Sequence, residues 1–539
     1  MVRREIAKLI ERSIKKLQKD GVFPKFDLPE IQTEHAEEKA HGDYSTNVAL
    51  KIGKIIKKDP MEIAEKIGKE LRAESKALLE KVEAVPPGFI NFFLSKEYLQ
   101  KEIKEILKKG ENFGQLNIGK NLKTNIEFIS ANPTGLLHLG NGRGAFFGDC
   151  LANVLEKAGY KVIREYYTND AKANTQIKIL GKTALGRGTT YLTKDLELKI
   201  KKLKPKLKRV TNEGEAGYLL VQNVQKDIRN FIEKKLKIKF DNWVSEEDFY
   251  RKSKIKKAYQ FLKKKGLVYR KEGAEWLKIS KFNAPKDEVI LRQTGEPTYF
   301  LSDIAYHQDK FTRGFGKIIN IWGADHQGHV PKIKAISKIL DYRGELDILI
   351  SQMVRLKKGK ISKRKGEIIT LESLVDEISL DAARFFYLMK SLNTQMEFDV
   401  ELAKERSAKS PVYYVQYAHA RICSILRKSK NKKQKTKNKN CSLFIAHCSL
   451  LGHPSELTLI KELIRFPEII EDTAKDYQVQ RIPQYAIDLA TSFHQFYRDC
   501  KVLSEVEGLR EARLALILVT KIVLKNTLNL MGISAPERM

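Results

Sequence analysis

Ser130-Ala131-Asn132-Pro133-Thr134-Gly135-Leu136-Leu137-His138-Leu139-Gly140-Asn141-Gly142-Arg143-Gly144 follows a strand-like run at 125–129 and opens an apolar-periodic helix, expected to begin after Asn141. Such a strand–loop–helix passage is where an α/β nucleotide fold holds the phosphates of its ligand. Glycines let the backbone come close, and the new helix offers unpaired N–H groups and the positive end of its dipole. His138 adds a side-chain donor there, with Thr134, Gly135, Gly140 and Asn141 around it. Far downstream, Gly359-Lys360-Ile361-Ser362-Lys363-Arg364 supplies cations of the kind a triphosphate needs.

Outward from the signature, Phe147, Leu151, Val154, Leu155 and Ala158 share one helical face, and Gly159 ends that helix. Residues 162–167 read as the next strand, completing a βαβ unit with a parallel sheet and right-handed crossover. The half-fold resumes near 297–303 and 317–323, so about 181–290 reads as an insertion. Residues 1–110 mix helices with short strands. Ile6, Ile10, Ile14 and Leu17 stripe the first helix, and Pro86-Pro87-Gly88 breaks a strand pair within 81–94. Beyond about 405 the pattern is helical, one face carrying Ile482, Tyr485, Ala486, Leu489, Phe493, Phe496 and Tyr497. The lysine-rich, apolar-poor run at 427–440 inside it reads as a solvated loop. The fold class is multidomain α/β: an α+β domain over 1–110, a Rossmann-like parallel-sheet catalytic domain over 111–405 and an all-α bundle over 406–539.

A chain of 539 residues with a net charge of +33 attracts polyanions, of which nucleic acid is the commonest. No apolar run approaches the roughly eighteen residues of a membrane span, and the charged start lacks a secretory stretch. Cytoplasm is the expected compartment. Five scattered cysteines (Cys150, Cys423, Cys441, Cys448, Cys500) fit reducing surroundings. Cys441, His447, Cys448 and His453 match no common zinc spacing, so no protein-held metal is expected.

The 130–144 and 359–364 stretches together resemble the two signatures of class I aminoacyl-tRNA synthetases, and their surroundings resemble the arginyl-tRNA synthetase family. The family likeness also runs through Thr298-Tyr299-Phe300-Leu301-Ser302-Asp303, Gly323-Ala324-Asp325-His326-Gln327-Gly328-His329, Asp381-Ala382-Ala383-Arg384, Tyr413-Tyr414-Val415-Gln416-Tyr417-Ala418-His419-Ala420-Arg421 and the ending Met531-Gly532-Ile533-Ser534-Ala535-Pro536-Glu537-Arg538-Met539. The resemblance implies ATP, accompanied by Mg²⁺, and L-arginine as substrates, tRNA(Arg) as acceptor, a monomer, and a requirement for tRNA even in activation. It implies that His138, Asn141, Lys360 and Lys363 serve catalysis. Thr134, Gly135, Gly140, Asp325, His326 and Ser362 would join these four around ATP. Glu127, Asn132, Tyr299, Asp303 and His326 would line the amino-acid pocket. Carboxylates there suit a guanidinium, whose planar fork pairs with them in twos. Asp43, Tyr44, Asn47 and Asn91 would meet the tRNA elbow; Gln416, Tyr417 and Arg421 would meet the anticodon loop. Two departures stand out. Asn141 replaces the usual second histidine, keeping a hydrogen-bond donor without a charge, and Ile361 replaces a methionine.

Three other readings stay open at this point: an RNA-binding relative without the reaction, an adenylyltransferase acting on a small molecule, and a synthetase for cysteine or another amino acid.

Overall fold

The computed structural model describes the chain apart from residues 37, 358–368, 433–446, 504, 505 and 507, and the side chains of 39, 74 and 430–432. At its centre is a five-stranded, all-parallel sheet. Its spatial order is Glu345–Ser351, Lys317–Gly323, Lys123–Glu127, Lys161–Thr168 and Asn242–Ser245. The chain leaves Lys123–Glu127 in one direction and returns on its other side, so the crevice between it and Lys317–Gly323 is a topological switch point. Helix Leu139–Lys157 is the first crossover. It is buried along most of its length because both the sheet and the C-terminal helices cover it.

The span read as an insertion needs correcting. Asn242–Ser245 lies inside it, yet pairs in parallel with Lys161–Thr168 as the edge of the central sheet. Four half-buried residues carry too little periodicity to declare a strand. The rest of that span holds helices Lys194–Leu207 and Glu213–Asn230 and a three-stranded antiparallel sheet over Val268–Leu291.

Before the catalytic sheet, four antiparallel strands pack with helices Val2–Lys19, Val48–Ile56 and Pro60–Glu74. Ile6, Ile10 and Ile14 are completely buried, as their spacing predicts. Helices Pro411–Lys432, Pro454–Asp476, Arg481–Asp499 and Leu509–Leu530 form the C-terminal bundle. Tyr497, assigned to the apolar face from sequence, is 38% exposed, while Phe496 beside it is completely buried, so Tyr497 lies at the edge of that face. Helix Pro411–Lys432 extends into the lysine-rich run, whose remainder from 433 lies outside the described residues. Among the described residues no helix is long and apolar enough to cross a membrane.

Candidate active site

The strand under the signature stops at Glu127, two residues earlier than its apolar run suggests. Ile129 and Ser130 take left-handed backbone, at φ 68° and 34°, which a β-branched residue adopts only under constraint. That constraint is visible. Tyr166 binds the backbone of Ala131 through its hydroxyl, and Ser130 Oγ donates to Glu127 and accepts from the Tyr167 N–H at 3.1 Å. Asn132 is thereby held out, its Oδ1 accepting from Asn169 at 2.8 Å, and the Thr134 N–H closes the turn on the Asn132 carbonyl.

The helix begins at Leu139, earlier than expected, because His138 is its cap. Nδ1 of His138 accepts from the Gly140 N–H at 3.1 Å, and the His138 N–H donates to Asn141 Oδ1 at 2.9 Å. Two consequences follow. With Nδ1 accepting, the proton of the neutral ring sits on Nε2, so the imidazole can donate outward. Desolvation lowers its pKa against the pull of Asp325, which keeps it neutral at pH 7. Asn141, with Oδ1 committed to the cap, still has Nδ2 to offer a ligand. A Cβ on Gly140 would stand 3.0 Å from the His138 ring, so the absence of a side chain there lets the ring fold over the helix end.

Lys360, Ser362 and Lys363 lie outside the described residues. Their described flank on the C-terminal side is pinned to the signature: Leu139 N–H donates to Ile369 O, and Leu371 N–H donates to Leu137 O. Asp325 and His326 are exposed on the short helical turn Ala324–His329, at the carboxyl end of the neighbouring strand.

Beside the signature, at the carboxyl ends of the strands, acids gather. Glu127 is buried and accepts from Lys310 Nζ at 2.6 Å, Tyr306 Oη at 2.8 Å and Ser130 Oγ at 3.0 Å. Three of about four lone-pair sites are used, leaving one for a ligand. Asp303 differs. Its carboxylate makes no hydrogen bond or ion pair among the described residues, and burial followed by repulsion from Glu246 and Glu127 pushes its pKa up to about 8. Tyr299, one turn earlier on helix Tyr299–Thr312, is 42% exposed and donates from its hydroxyl to Asn174 Oδ1 at 3.2 Å. The same Asn174 donates to Glu246, a fully enclosed acid whose pKa burial raises to about 7.

Sequence reasoning missed Glu246. The clue was available in Trp243-Val244-Ser245-Glu246-Glu247, a short apolar run followed by the acids that favour a helix start. Asp170 ties this corner together, accepting from Ser245 Oγ at 2.8 Å and from the Glu247 N–H at 3.0 Å.

The residues expected to meet RNA divide. Arg421 lies over the rings of Tyr417 and Tyr497 at 5.1 and 5.5 Å and donates to the Tyr417 hydroxyl; Tyr413 stacks 6.2 Å from Tyr417. That basic, aromatic face suits unpaired bases. Gln416 instead spends its amide on Asp381 and Ser534, fastening the bundle to the catalytic domain and the C-terminal residues. Tyr44 and Asn91 need correction as RNA contacts: both are buried, and the Tyr44 hydroxyl donates to Glu468 of the bundle. Asp43 pairs with Lys461 at 2.7 Å, and Asn47 turns Oδ1 inward without a hydrogen-bond partner among the described residues. A polar, turn-rich stretch looks like a surface in sequence; here a second domain covers it.

Comparison with known proteins places these features. Residues 4–94 match the arginyl-tRNA synthetase N-terminal domain, 102–425 the class I (R) tRNA synthetase catalytic domain, and 415–539 the DALR anticodon-binding domain. The arginine–tRNA ligase of Caldanaerobacter subterraneus is 41% identical over 559 aligned positions, covering 99% of this chain and 98% of that one. That of Bacillus subtilis is 41% identical, covering 97% and 96%. The solved Thermus thermophilus arginyl-tRNA synthetase superposes with a TM-score of 0.79 at 22% identity over the whole of both chains. The Plasmodium falciparum one gives 0.78 at 19% identity, over 100% of this chain and 99% of that one.

Proposed function

The chain belongs to the arginyl-tRNA synthetase family, and from that premise we propose how its own residues carry out the reaction. It is an arginine–tRNA ligase, using ATP to join L-arginine to tRNA(Arg). The observation that carries the site reading is Asp303: a recessed carboxylate with no hydrogen-bond or ion-pair partner among the described residues, set beside Glu246 and Glu127. A guanidinium entering there lets Asp303 and Glu246 ionise together and offsets their desolvation. Glu127 and Asn132, next to the signature, meet the α-ammonium end, with Tyr299 and His326 closing the rim.

ATP lies across the switch point, its phosphates over the start of helix Leu139–Lys157. His138 Nε2–H and Asn141 Nδ2 donate to phosphate oxygens, with Thr134, Gly135 and Gly140 allowing close backbone approach. Asp325 and His326 face the adenosine side. Lys360 and Lys363 neutralise the departing pyrophosphate, with Ser362 able to donate a hydrogen bond to it, and Mg²⁺ arrives on ATP as part of that substrate. The arginine carboxylate is already ionised, so no general base is needed. It attacks the α-phosphorus, pyrophosphate leaves, and arginyl-adenylate forms. The terminal 2′-hydroxyl of the tRNA then attacks the carbonyl, and AMP leaves. Alignment and charge neutralisation do the catalysis.

In this reading 1–110 contacts the tRNA elbow, 111–405 performs the chemistry, and 406–539 takes the anticodon through Tyr417 and Arg421. The enzyme acts as a cytoplasmic monomer and requires tRNA for pyrophosphate exchange. Charging of tRNA(Arg) with a panel of amino acids tests the site. Arginine alone should be joined. Asp303→Ala should raise KM for arginine about a hundredfold or more, and His138→Ala should lower kcat by about 10²–10³ with little change in that KM. Unaltered kinetics in Asp303→Ala would remove the basis of the pocket.

A further inference from the structure

We propose that Tyr167 is a specificity-determining residue of the amino-acid pocket, its hydroxyl accepting a hydrogen bond from the substrate guanidinium. This rests on the reading that the acidic corner takes arginine. Tyr167 is the last residue but one of the strand Lys161–Thr168, at its carboxyl end beside the signature loop. Its backbone N–H is fixed on Ser130 Oγ, and its ring stacks on Tyr306 with centroids 4.2 Å apart and planes at 21°. The residue is 5% exposed, yet its hydroxyl has no hydrogen-bond partner among the described residues. The charges that act on that hydroxyl are Glu246, Asp303, Glu127 and Asp170, the acids of the pocket.

The neighbouring tyrosine makes the contrast. Tyr306 uses its hydroxyl on both Glu127 and Glu165, at 2.8 and 2.7 Å, and so has a reason to be tyrosine within the free protein. Packing gives Tyr167 no such reason, since phenylalanine would fill the same stack. A buried hydroxyl left unpaired is costly, so its presence calls for a partner that arrives later. A guanidinium has five N–H donors in one plane. Asp303 and Glu246 satisfy some of them, and a neutral oxygen among the acids can take another without adding repulsion.

The test is aminoacylation of tRNA(Arg) by full-length Tyr167→Phe, varying arginine and ATP separately, with thermal unfolding of the same protein. The expected result is a rise in KM for arginine of about tenfold. KM for ATP and kcat should stay within about twofold, and the melting midpoint of the ligand-free protein should be equal or higher. An unchanged KM for arginine overturns the inference. So does a lowered midpoint with all kinetic parameters shifted alike, which marks a structural hydroxyl. If the wild-type chain itself fails to charge arginine, the pocket reading falls; if it charges normally while Tyr167→Phe behaves identically, only the role of Tyr167 falls.

Discussion

Asp303, the side chain proposed to select arginine, carries a stability cost. Free in solution an aspartic acid titrates near 3.8; in the folded protein burial and its acidic neighbours push it up to about 8. The folded state therefore holds this proton more tightly than the unfolded chain. Its stability falls as pH rises from about 4 toward 8, and the penalty is complete above that range. Asp303→Asn should accordingly raise the melting midpoint of the ligand-free protein at pH 8.5 and have little effect at pH 4.5, while arginine charging is lost. In the pocket we propose, the same linkage would set substrate affinity. If arginine binds with Asp303 and Glu246 ionised, its KM should fall as pH rises from about 6 to 9, with proton release on binding detectable in buffers of different ionisation enthalpy. A KM independent of pH over that range would contradict the pocket. Sequence pointed to Asp303 through its motif. For Glu246 it offered only a helix-start pattern, and the hydrogen bond from Asn174 that sets it in the same corner comes from a distant segment.

At the scale of elements, the signature works because a loop, a helix end and a following segment are locked together. Asn141 Oδ1 accepts the His138 N–H, so the residue that replaces the usual histidine is also the partner in the cap. Asn141→Asp keeps an acceptor for the cap and loses the Nδ2 donor. It should retain the melting midpoint within a degree or two while lowering kcat; Asn141→Ala should also lose about 1 kcal/mol of stability. Gly142 lies one step further along, where a Cβ would come within 2.8 Å of Leu371 and 2.9 Å of Tyr387. Both neighbours are buried, and Tyr387 also holds the Leu139 carbonyl at 2.7 Å. Gly142→Ala should cost about 1–3 kcal/mol, measured by denaturant unfolding, because neither side chain has room to yield. The glycines and the helix were legible as pattern. The exact start of the helix was not, since it depends on the His138 ring turning back to accept from the Gly140 N–H.

For the molecule as a whole, the N-terminal domain is latched to the C-terminal bundle rather than tethered by a linker alone. Glu468 accepts from the Arg3 N–H at 3.0 Å, contacts His35 Nε2 at 2.8 Å, and takes the Tyr44 hydroxyl, while Arg3 grips Glu471 and Asp472. Tyr44→Phe should therefore lower stability by about 1 kcal/mol and leave tRNA affinity unchanged, read by thermal unfolding and filter binding. A loss of tRNA affinity without a loss of stability would return Tyr44 to the RNA surface. The latch holds the N-terminal domain and the C-terminal bundle on one frame. Gln416, fastened to Asp381 and Ser534, extends that frame into the catalytic domain.

Local chemistry wrote the glycine-rich signature, the acidic motif on helix Tyr299–Thr312, the striped first helix and the aromatic run near Tyr417 directly into the chain. Each is a matter of residue type at short spacing, which the backbone alone interprets. What assembled only in three dimensions were contacts between distant segments: strand Asn242–Ser245 joining the sheet, Glu246 meeting Asp303, and Tyr44 disappearing beneath Glu468. Burial and charge coupling depend on what packs against a side chain, and a neighbour dozens or hundreds of positions away leaves no mark on the local pattern.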